Sequence, residues 1–350
     1  LVDQTSVDNT KRPKFDGRAY ALSPSTVKML SVLDIWEKLS KTVQPILEMQ
    51  VFEGTSGRGV SQFHINFDYN DMESGPIAYM VEDRFLKAVL MEGISSNKRI
   101  SHFFGSKIVD QRVNKGHVEV RLSNKSLLLG KLLVGSDGRQ SEIGERSGIK
   151  RNIFNYRQTS IVCAVSHEKN HSGEAHQFFR PAGPLAILPL QNKISSIVWT
   201  ETNEKADQLR KLSDDDFLKE LATSFGSFRG QISLKGERYF FPLLLSISRK
   251  LISQRVALIG DAAHAVHPLA GQGLNLGMRD VASLTEIIVQ ARRCGEDYGT
   301  IHVLKRYSTW RDLDRLTLYG FTHMVNKAFS NDSLVLKTLR GIGMTAINNV

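Results

Sequence analysis

The residues best placed to do chemistry lie in one stretch. It runs Val256-Ala257-Leu258-Ile259-Gly260-Asp261-Ala262-Ala263-His264 and continues Pro268-Leu269-Ala270-Gly271-Gln272-Gly273-Leu274-Asn275. Four consecutive apolar residues read as a short strand buried on both faces, as in a parallel sheet. The strand ends in Gly-Asp, and a glycine-rich turn leads into a helical pattern over about 274–291. Glycine lets a backbone approach a ligand closely. A helix start presents unpaired N–H groups and the positive end of a dipole to negative charge. An aspartate at the end of a strand can accept hydrogen bonds from a sugar or polyol hydroxyl. A generic strand–turn–helix would explain the glycines alone. It does not explain Asp261, Pro268 and Asn275 together at these spacings.

A second stretch is Leu133-Val134-Gly135-Ser136-Asp137-Gly138-Arg139-Gln140-Ser141, where the apolar run Leu127 to Val134 ends abruptly. By itself an Asp-Gly pair is usually a turn. His264 and His267 lie three apart on a loop, but no carboxylate or thiol stands at a plausible spacing, so no metal site is expected. No Ser/His/Asp constellation is evident either.

These stretches need elements to position them. Ser23-Pro24 followed by Val27, Leu30, Leu33 and Trp36 predicts a capped amphipathic helix with proline at its first position. Residues 59–67 carry candidate strand positions at Val60, Phe63, Ile65 and Phe67, and a helix is expected over about 81–92. Val118 to Leu122 alternates as a strand. Strands are expected at Ile161 to Val165, Leu185 to Leu190 and Ile194 to Trp199. A helix begins at Ser213-Asp214-Asp215-Asp216, its acidic first turn suiting the dipole. A long helical pattern covers about 300–329. The 350 residues are 41% hydrophobic and 23% charged, which excludes general disorder and supplies a large core. Two cysteines, Cys163 and Cys294, cannot form a disulfide framework. No apolar run is long enough to predict a transmembrane helix. The net charge of +10 is scattered in pairs such as Lys11-Arg12 and Lys150-Arg151. A solvated surface accounts for it; an anionic bilayer is the alternative, and nucleic acid is not expected.

The first stretch resembles the second flavin fingerprint of the FAD-dependent aromatic hydroxylases related to p-hydroxybenzoate hydroxylase: Gly-Asp-Ala-Ala-His, then Pro and Gly-x-Gly-x-Asn. The resemblance implies that Asp261, following Gly260, binds the ribityl chain of FAD. It places Pro268, Gly271, Gln272, Gly273, Leu274 and Asn275 at the isoalloxazine ring, with Pro268, Gly271, Gly273 and Asn275 as catalytic positions that stabilise charge on the reduced flavin. Asp137 and Gly138 resemble the family's Asp-Gly motif, implied to contact FAD and NAD(P)H. The family usually has an arginine three residues after the motif's final serine; this chain has Gly144, and Arg146 is the candidate replacement. Arg18, in Arg18-Ala19-Tyr20-Ala21-Leu22-Ser23, and Arg84 resemble family arginines near the cofactor, with a surface role as the alternative for both. Leu1-Val2-Asp3 resembles the end of a strand whose aspartate, Asp3, binds ribose. No Gly-x-Gly-x-x-Gly motif occurs before Arg18, so about 25–30 further residues are expected upstream.

Arg18 to Ser23, Phe178-Phe179, Gly183 to Leu190 and Gly271 to Arg279 together resemble the ubiquinone-biosynthesis hydroxylases, such as 2-octaprenyl-6-methoxyphenol hydroxylase. The implied fold is α/β, a Rossmann-like FAD-binding domain interrupted by a β-sheet substrate domain and truncated at the N-terminus. The expected FAD-binding domain covers 1–58, 80–150 and 251–292, the substrate domain 59–79 and 151–250, and a C-terminal helical segment 293–350. The implied activity is hydroxylation of the aromatic ring of a polyprenylated phenol by O2, through NAD(P)H-reduced FAD and a C4a-hydroperoxide. Membrane-surface association follows from such a substrate, in a bacterial cytoplasm or on the matrix side of the mitochondrial inner membrane, with a ubiquinone-synthesis complex as a possible partner. A hydroxylase of a small soluble phenol and a non-catalytic relative in a ubiquinone-synthesis assembly remain as alternatives.

Overall fold

The strand Val256–Leu258 lies at the centre of a three-stranded sheet, parallel to Leu133–Gly135 and antiparallel to Ile252–Ser253. All three of its residues are buried, as expected of a strand covered on both faces. The computed structural model describes residues 1–6, 17–54, 60–69, 75–266 and 271–329. The chain divides into two units. Leu1–Lys11, Leu90–Asn155 and Leu244–Thr322 form the first; Arg12–Val89, Tyr156–Leu243 and His323–Val350 form the second.

In the first unit, the central strand packs with Ile143, Leu284, Ile287, Leu304 and Tyr307 in one core. The helices Gln272–Arg293 and Ile301–Phe329 supply much of it. Val2–Asp3 pairs in parallel with Phe103–Phe104. Ile108–Val113, Val118–Leu122 and Leu127–Gly130 form an antiparallel sheet with Val118–Leu122 in the middle. The apolar run expected as one element over 127–134 is therefore two strands in two sheets. Leu127 and Leu129 are exposed, so the first strand buries one face only.

The second unit is built on a large sheet with strand order 232–243 (of the strand Ile232–Ser248), 156–167 (of the strand Arg151–His167), Ile194–Thr202, Leu185–Leu190, Glu174–Phe179, Glu48–Gly54 and Val60–Asp68. The strand expected at 161–165 lies in the C-terminal part of a 17-residue strand, Arg151–His167. Its apolar centre is flanked by polar residues that the ladder carries, although their types do not alternate clearly. One sheet face packs against the helices Asn203–Lys211 and Asp214–Phe225, burying Ile161, Phe178, Ile197, Trp199, Phe217 and Phe225. The second helix is capped as expected: Ser213 Oγ accepts the Asp216 N–H at 3.2 Å. A smaller sheet, with Ala78–Glu82 between Ala19–Leu22 and Gln44–Ile46, packs Ile46 and Met80 against Ala175 and Leu190.

Two helices differ from expectation. The helix begun at Pro24, with Ser23 as its cap, ends at Val32, and Trp36 opens a separate helix, Trp36–Leu39. Asp34 sits at φ 55, and the Ile35 N–H returns to Leu30 O at 2.9 Å, closing the first helix. The apolar spacing is continuous across this break, so periodicity alone does not reveal it. The helix expected over 81–92 is Asp83–Ser96, because Glu82 still belongs to a strand.

Three histidines of the second unit are held neutral. His171 accepts the Gly173 N–H at Nδ1 (3.0 Å) and lies 2.7 Å from Leu190 O through Nε2, so it needs one donor and one acceptor nitrogen. Burial lowers the proton affinity of His167, His171 and His176, and the nearby Arg229 cation adds to this; His176 falls to about 4. These rings stay neutral in the folded chain, while unfolded histidines protonate below about 6.5. Proton uptake therefore favours unfolding as pH falls from about 6.5 toward 4. The expected result is a falling urea midpoint over that range, with a shallower fall in His176→Phe. Urea titrations at a series of pH values check it, and identical slopes would refute the role of His176.

Candidate active site: a flavin-type turn

After the buried strand, Gly260 takes φ +58, and Gly260–Ala262 form one turn of 3-10 helix. The left-handed backbone favours glycine here, and a Cβ would meet nothing within 4 Å, so this face of the turn is open. Asp261 follows with its side chain about half exposed (47%). His264–Ala265 then pairs with Ser246 and Ile247. Pro268 lies outside the described residues. Gly271 is the N-cap of the helix Gln272–Arg293, and among the described residues no side-chain cap hydrogen bond is made there. Gln272, Gly273 and Leu274 form the first turn, half-buried, and Asn275 is buried, its Nδ2 donating to Gly271 O at 3.4 Å.

The turn is locked from behind by Asp280, which is fully buried on the same helix. Its Oδ2 accepts the Gly260 N–H at 2.9 Å and lies 3.0 Å from His264 Nε2, while Oδ1 accepts from Arg311 Nε at 2.8 Å. Gly277 brings the helix up to the turn: a Cβ there would stand 3.2 Å from Gly260 Cα. Burial alone would lower the proton affinity of Arg311, but the Asp280 and Asp314 carboxylates outweigh it and raise the guanidinium above its ordinary value. Arg311 thus stays a cation in the core.

Two arginines flank Asp261. Arg139 Nε is 3.5 Å from Asp261 Oδ2, and Arg151 donates to the carbonyls of Asp261 (3.0 Å) and Ala262 (2.7 Å). Asp137 lies on the connection after Leu133–Gly135, and both its oxygens are engaged: Ser141 Oγ donates at 2.5 Å and the Ile143 N–H at 3.0 Å. Asp137 thereby shapes the turn, while Gly138 beside it is open around its α-carbon. Gly144 is buried, and a Cβ there would stand 3.1 Å from Leu258 Cδ1. Arg146 is tied to Glu142 at 2.5 Å. Asp3 is exposed, with Oδ1 accepting the Thr5 N–H at 2.7 Å.

Asp3, Asp137, Gly138, Gly260, Asp261 and Gly271 to Asn275 all belong to the first unit. Arg18 and Arg84 belong to the second, each against a carboxylate: Arg18 to Asp83 at 3.3 Å and Arg84 to Glu82 at 2.7 Å. Tyr20 also donates to Asp83, at 2.8 Å.

A family model described as an FAD binding domain matches residues 2–312. The chain belongs to this FAD-binding family. A ubiquinone hydroxylase, UbiL of Rhodospirillum rubrum, is 35% identical over 337 residues, covering 96% of this chain and 77% of the relative. The 3-demethoxyubiquinol 3-hydroxylase of Escherichia coli is 29% identical over 332 residues, 95% of this chain and 83% of the relative. The crystal structure of pqsL from Pseudomonas aeruginosa, titled a probable FAD-dependent monooxygenase, superposes with a TM-score of 0.79 at 18% identity, covering 99% of this chain and 92% of that one. This superposition supports the expected α/β flavoprotein fold.

The donor set of the FAD-binding chain fits its cofactor. An exposed carboxylate, an open turn and a helix start without a side-chain cap suit a polyol and a ring that gains negative charge. Four residues of this surrounding were not singled out from the sequence. Arg139 follows the Asp-Gly pair directly, and Asp280 stands one residue beyond the Gly271 to Arg279 resemblance. Arg151 and Arg311 carry no sequence signal, since long-range folding alone brings them here. Removing one partner of a buried charge pair typically costs about 3–5 kcal/mol. Asp280→Ala is expected to lose that order of stability in urea unfolding, whereas truncating the exposed Glu296–Arg306 pair should leave the urea midpoint nearly unchanged.

Proposed function

We propose that this chain is an FAD-dependent monooxygenase that hydroxylates the aromatic ring of a polyprenylated phenol in ubiquinone biosynthesis. The observation that carries the reading is the Gly260-Asp261 turn, locked by Asp280, in a chain matched over nearly its whole length by ubiquinone hydroxylases. The balanced reaction takes an aromatic C–H, O2, NAD(P)H and a proton to the phenol, NAD(P)+ and water. Bound FAD supplies the electron transfer from NAD(P)H and the activation of O2.

The chain's own residues do the binding and positioning. Asp261 accepts hydrogen bonds from the ribityl hydroxyls, and its backbone is fixed by Arg151. Gly138 and Gly260 leave their surroundings clear for the cofactor. The N–H groups of Gln272 and Gly273, at an uncapped helix start, hold negative charge on the ring, with Pro268, Gly271, Leu274 and Asn275 completing that loop. Asp3 is assigned to the ribose, and Arg18 and Arg84 to the cofactor surroundings. The FAD-binding and substrate domains are assigned to the ranges expected from the sequence.

A polyprenyl tail calls for work at a membrane surface. No described helix is long and apolar enough to cross a membrane, and the net charge of +10 favours an anionic surface. Association with a ubiquinone-synthesis complex belongs to the same reading.

Asp261→Ala is expected to raise the FAD dissociation constant about tenfold or more, the loss of charge-assisted hydrogen bonds. Flavin absorbance retained after desalting, followed by phenol-dependent NAD(P)H oxidation with one oxygen atom added to the product, tests the reading. A wild-type chain that binds FAD and oxygenates no phenol would overturn it.

A further inference from the structure

The antiparallel sheet of the first unit, Ile108–Val113, Val118–Leu122 and Leu127–Gly130, has two unlike faces. Val118, Val120 and Leu122 lie on one face and are buried. On the other, the cross-strand register sets two rows, Asp110–Arg121–Leu127 and Arg112–Glu119–Leu129. Residues directly opposite share a face. Leu127 is 54% exposed and Leu129 66%. A lone exposed leucine is ordinary on a protein surface. Two neighbours on one face of one strand form an apolar ridge.

The ridge stands among cations. Residues 107–131 carry six lysines and arginines against two acidic residues, so +4 of the chain's net charge of +10 falls in this one sheet. Both carboxylates are occupied: Asp110 by Arg112 at 3.3 Å, and Glu119 by Asn114 at 2.7 Å and His117 at 2.9 Å. Lys107 is spent on Glu142. Among the described residues no carboxylate pairs with Lys115, Arg121, Lys125 or Lys131. Arg121 stands directly beside Leu127, and Lys125 and Lys131 lie just outside the two ends of the leucine strand. The sheet is anchored at one end by the buried Arg255, which donates to the Lys115 carbonyl at 2.8 Å and the Lys131 carbonyl at 2.9 Å. The leucine strand is an edge, which a second copy could pair with. Its flanking lysines oppose that, because they would set like charge against like along a ladder of only four residues. An anionic lipid surface meets both features at once, taking the leucines at the acyl boundary and the cations at its phosphates.

We propose that the outer face of this sheet, Leu127 and Leu129 with Arg121, Lys125 and Lys131, docks the chain on an anionic phospholipid surface. The proposal rests for its purpose on the membrane-surface part of the reading above, and names the face that meets the lipid. The aliphatic stems of the cations lie beside the leucines while their charged ends reach the phosphates.

The test sediments the full chain with vesicles of phosphatidylcholine alone and of phosphatidylcholine mixed with phosphatidylglycerol. The wild type is expected to bind the mixed vesicles, leave the neutral ones, and come off as salt rises. Leu127→Ser combined with Leu129→Ser is expected to weaken binding about tenfold or more, through lost apolar contact. Arg121→Ala combined with Lys125→Ala is expected to do the same, at about fivefold for each cation. FAD affinity and thermal stability should hold in both variants, because all four side chains are exposed and lie outside the cofactor turn. Should the serine variant fail to fold, the alanine variant decides. Equal binding to neutral and mixed vesicles, or binding unchanged in a folded variant, would overturn the docking face and leave the hydroxylase reading standing. A leucine-dependent dimer in sedimentation velocity without lipid would also overturn it, assigning the ridge to a second copy. A chain that binds mixed vesicles as expected, binds FAD and oxygenates no phenol would overturn the hydroxylase reading and leave the docking face standing.

Discussion

A single buried carboxylate holds the candidate cofactor site together. Asp280 lies in the core of the first unit, where an unpaired charge could not persist, and three groups converge on it: the Gly260 N–H, His264 and Arg311. Each belongs to a different segment. The first is the turn after the central strand, the second the short strand that follows, and the third the long helix beginning at Ile301. Through this one side chain the helix Gln272–Arg293 is registered against the turn that exposes Asp261. Its uncapped N-terminus is thereby brought to the end of the strand that carries the turn. The Tyr307 hydroxyl, donating to Leu258 O at 2.9 Å, ties the last helix to the same strand.

This division of labour leaves the Asp261 carboxylate with one long contact, to Arg139 at 3.5 Å. Asp280, Arg151 and the backbone of the turn carry the load, so a half-exposed carboxylate can serve a ligand. Asp137 is the opposite case. Both its oxygens are spent on the turn leading into the helix Glu142–Arg146, and what remains for a ligand is the open backbone at Gly138. Two aspartates that look alike in the sequence thus differ in the fold: one stands half exposed beside an arginine, and the other is spent on its own loop.

The second unit shows the same economy in its sheet. The face packed on helices is filled by large side chains such as Phe178 and Trp199. The other carries small aliphatics and a few buried polar groups. Period-two alternation puts these sets on adjacent residues, so Phe178 closes the core while Gln177 beside it faces the other way. Arg180, at the end of a strand of this sheet, is paired with Glu201 at 3.0 Å and donates to Thr200 O.

The flavoprotein family, the turn and helix start that bear the cofactor motif, and most of the elements were legible in the order of residues. These are local properties: four apolar residues before Gly-Asp, a Ser cap before an acidic turn, an apolar stripe at helical spacing. It did not determine where the Pro24 helix stops, because Asp34 breaks the chain without disturbing the apolar spacing. Nor did it show that the run at 127–134 serves two sheets, because strand pairing is not written in a run's composition. Long-range packing gathers Asp280, Arg311, Arg151 and Arg139 around the Gly260-Asp261 turn, since Arg139 lies 122 residues and Arg151 110 residues away from Asp261 in the chain. Only the cross-strand register placed Arg112, Glu119 and Leu129 in one row on the open face of a sheet. The physical reason is common to both: propensity and patterning act over a few residues, whereas the pairing of buried charges and the facing of side chains across strands depend on which separate segments the fold brings together.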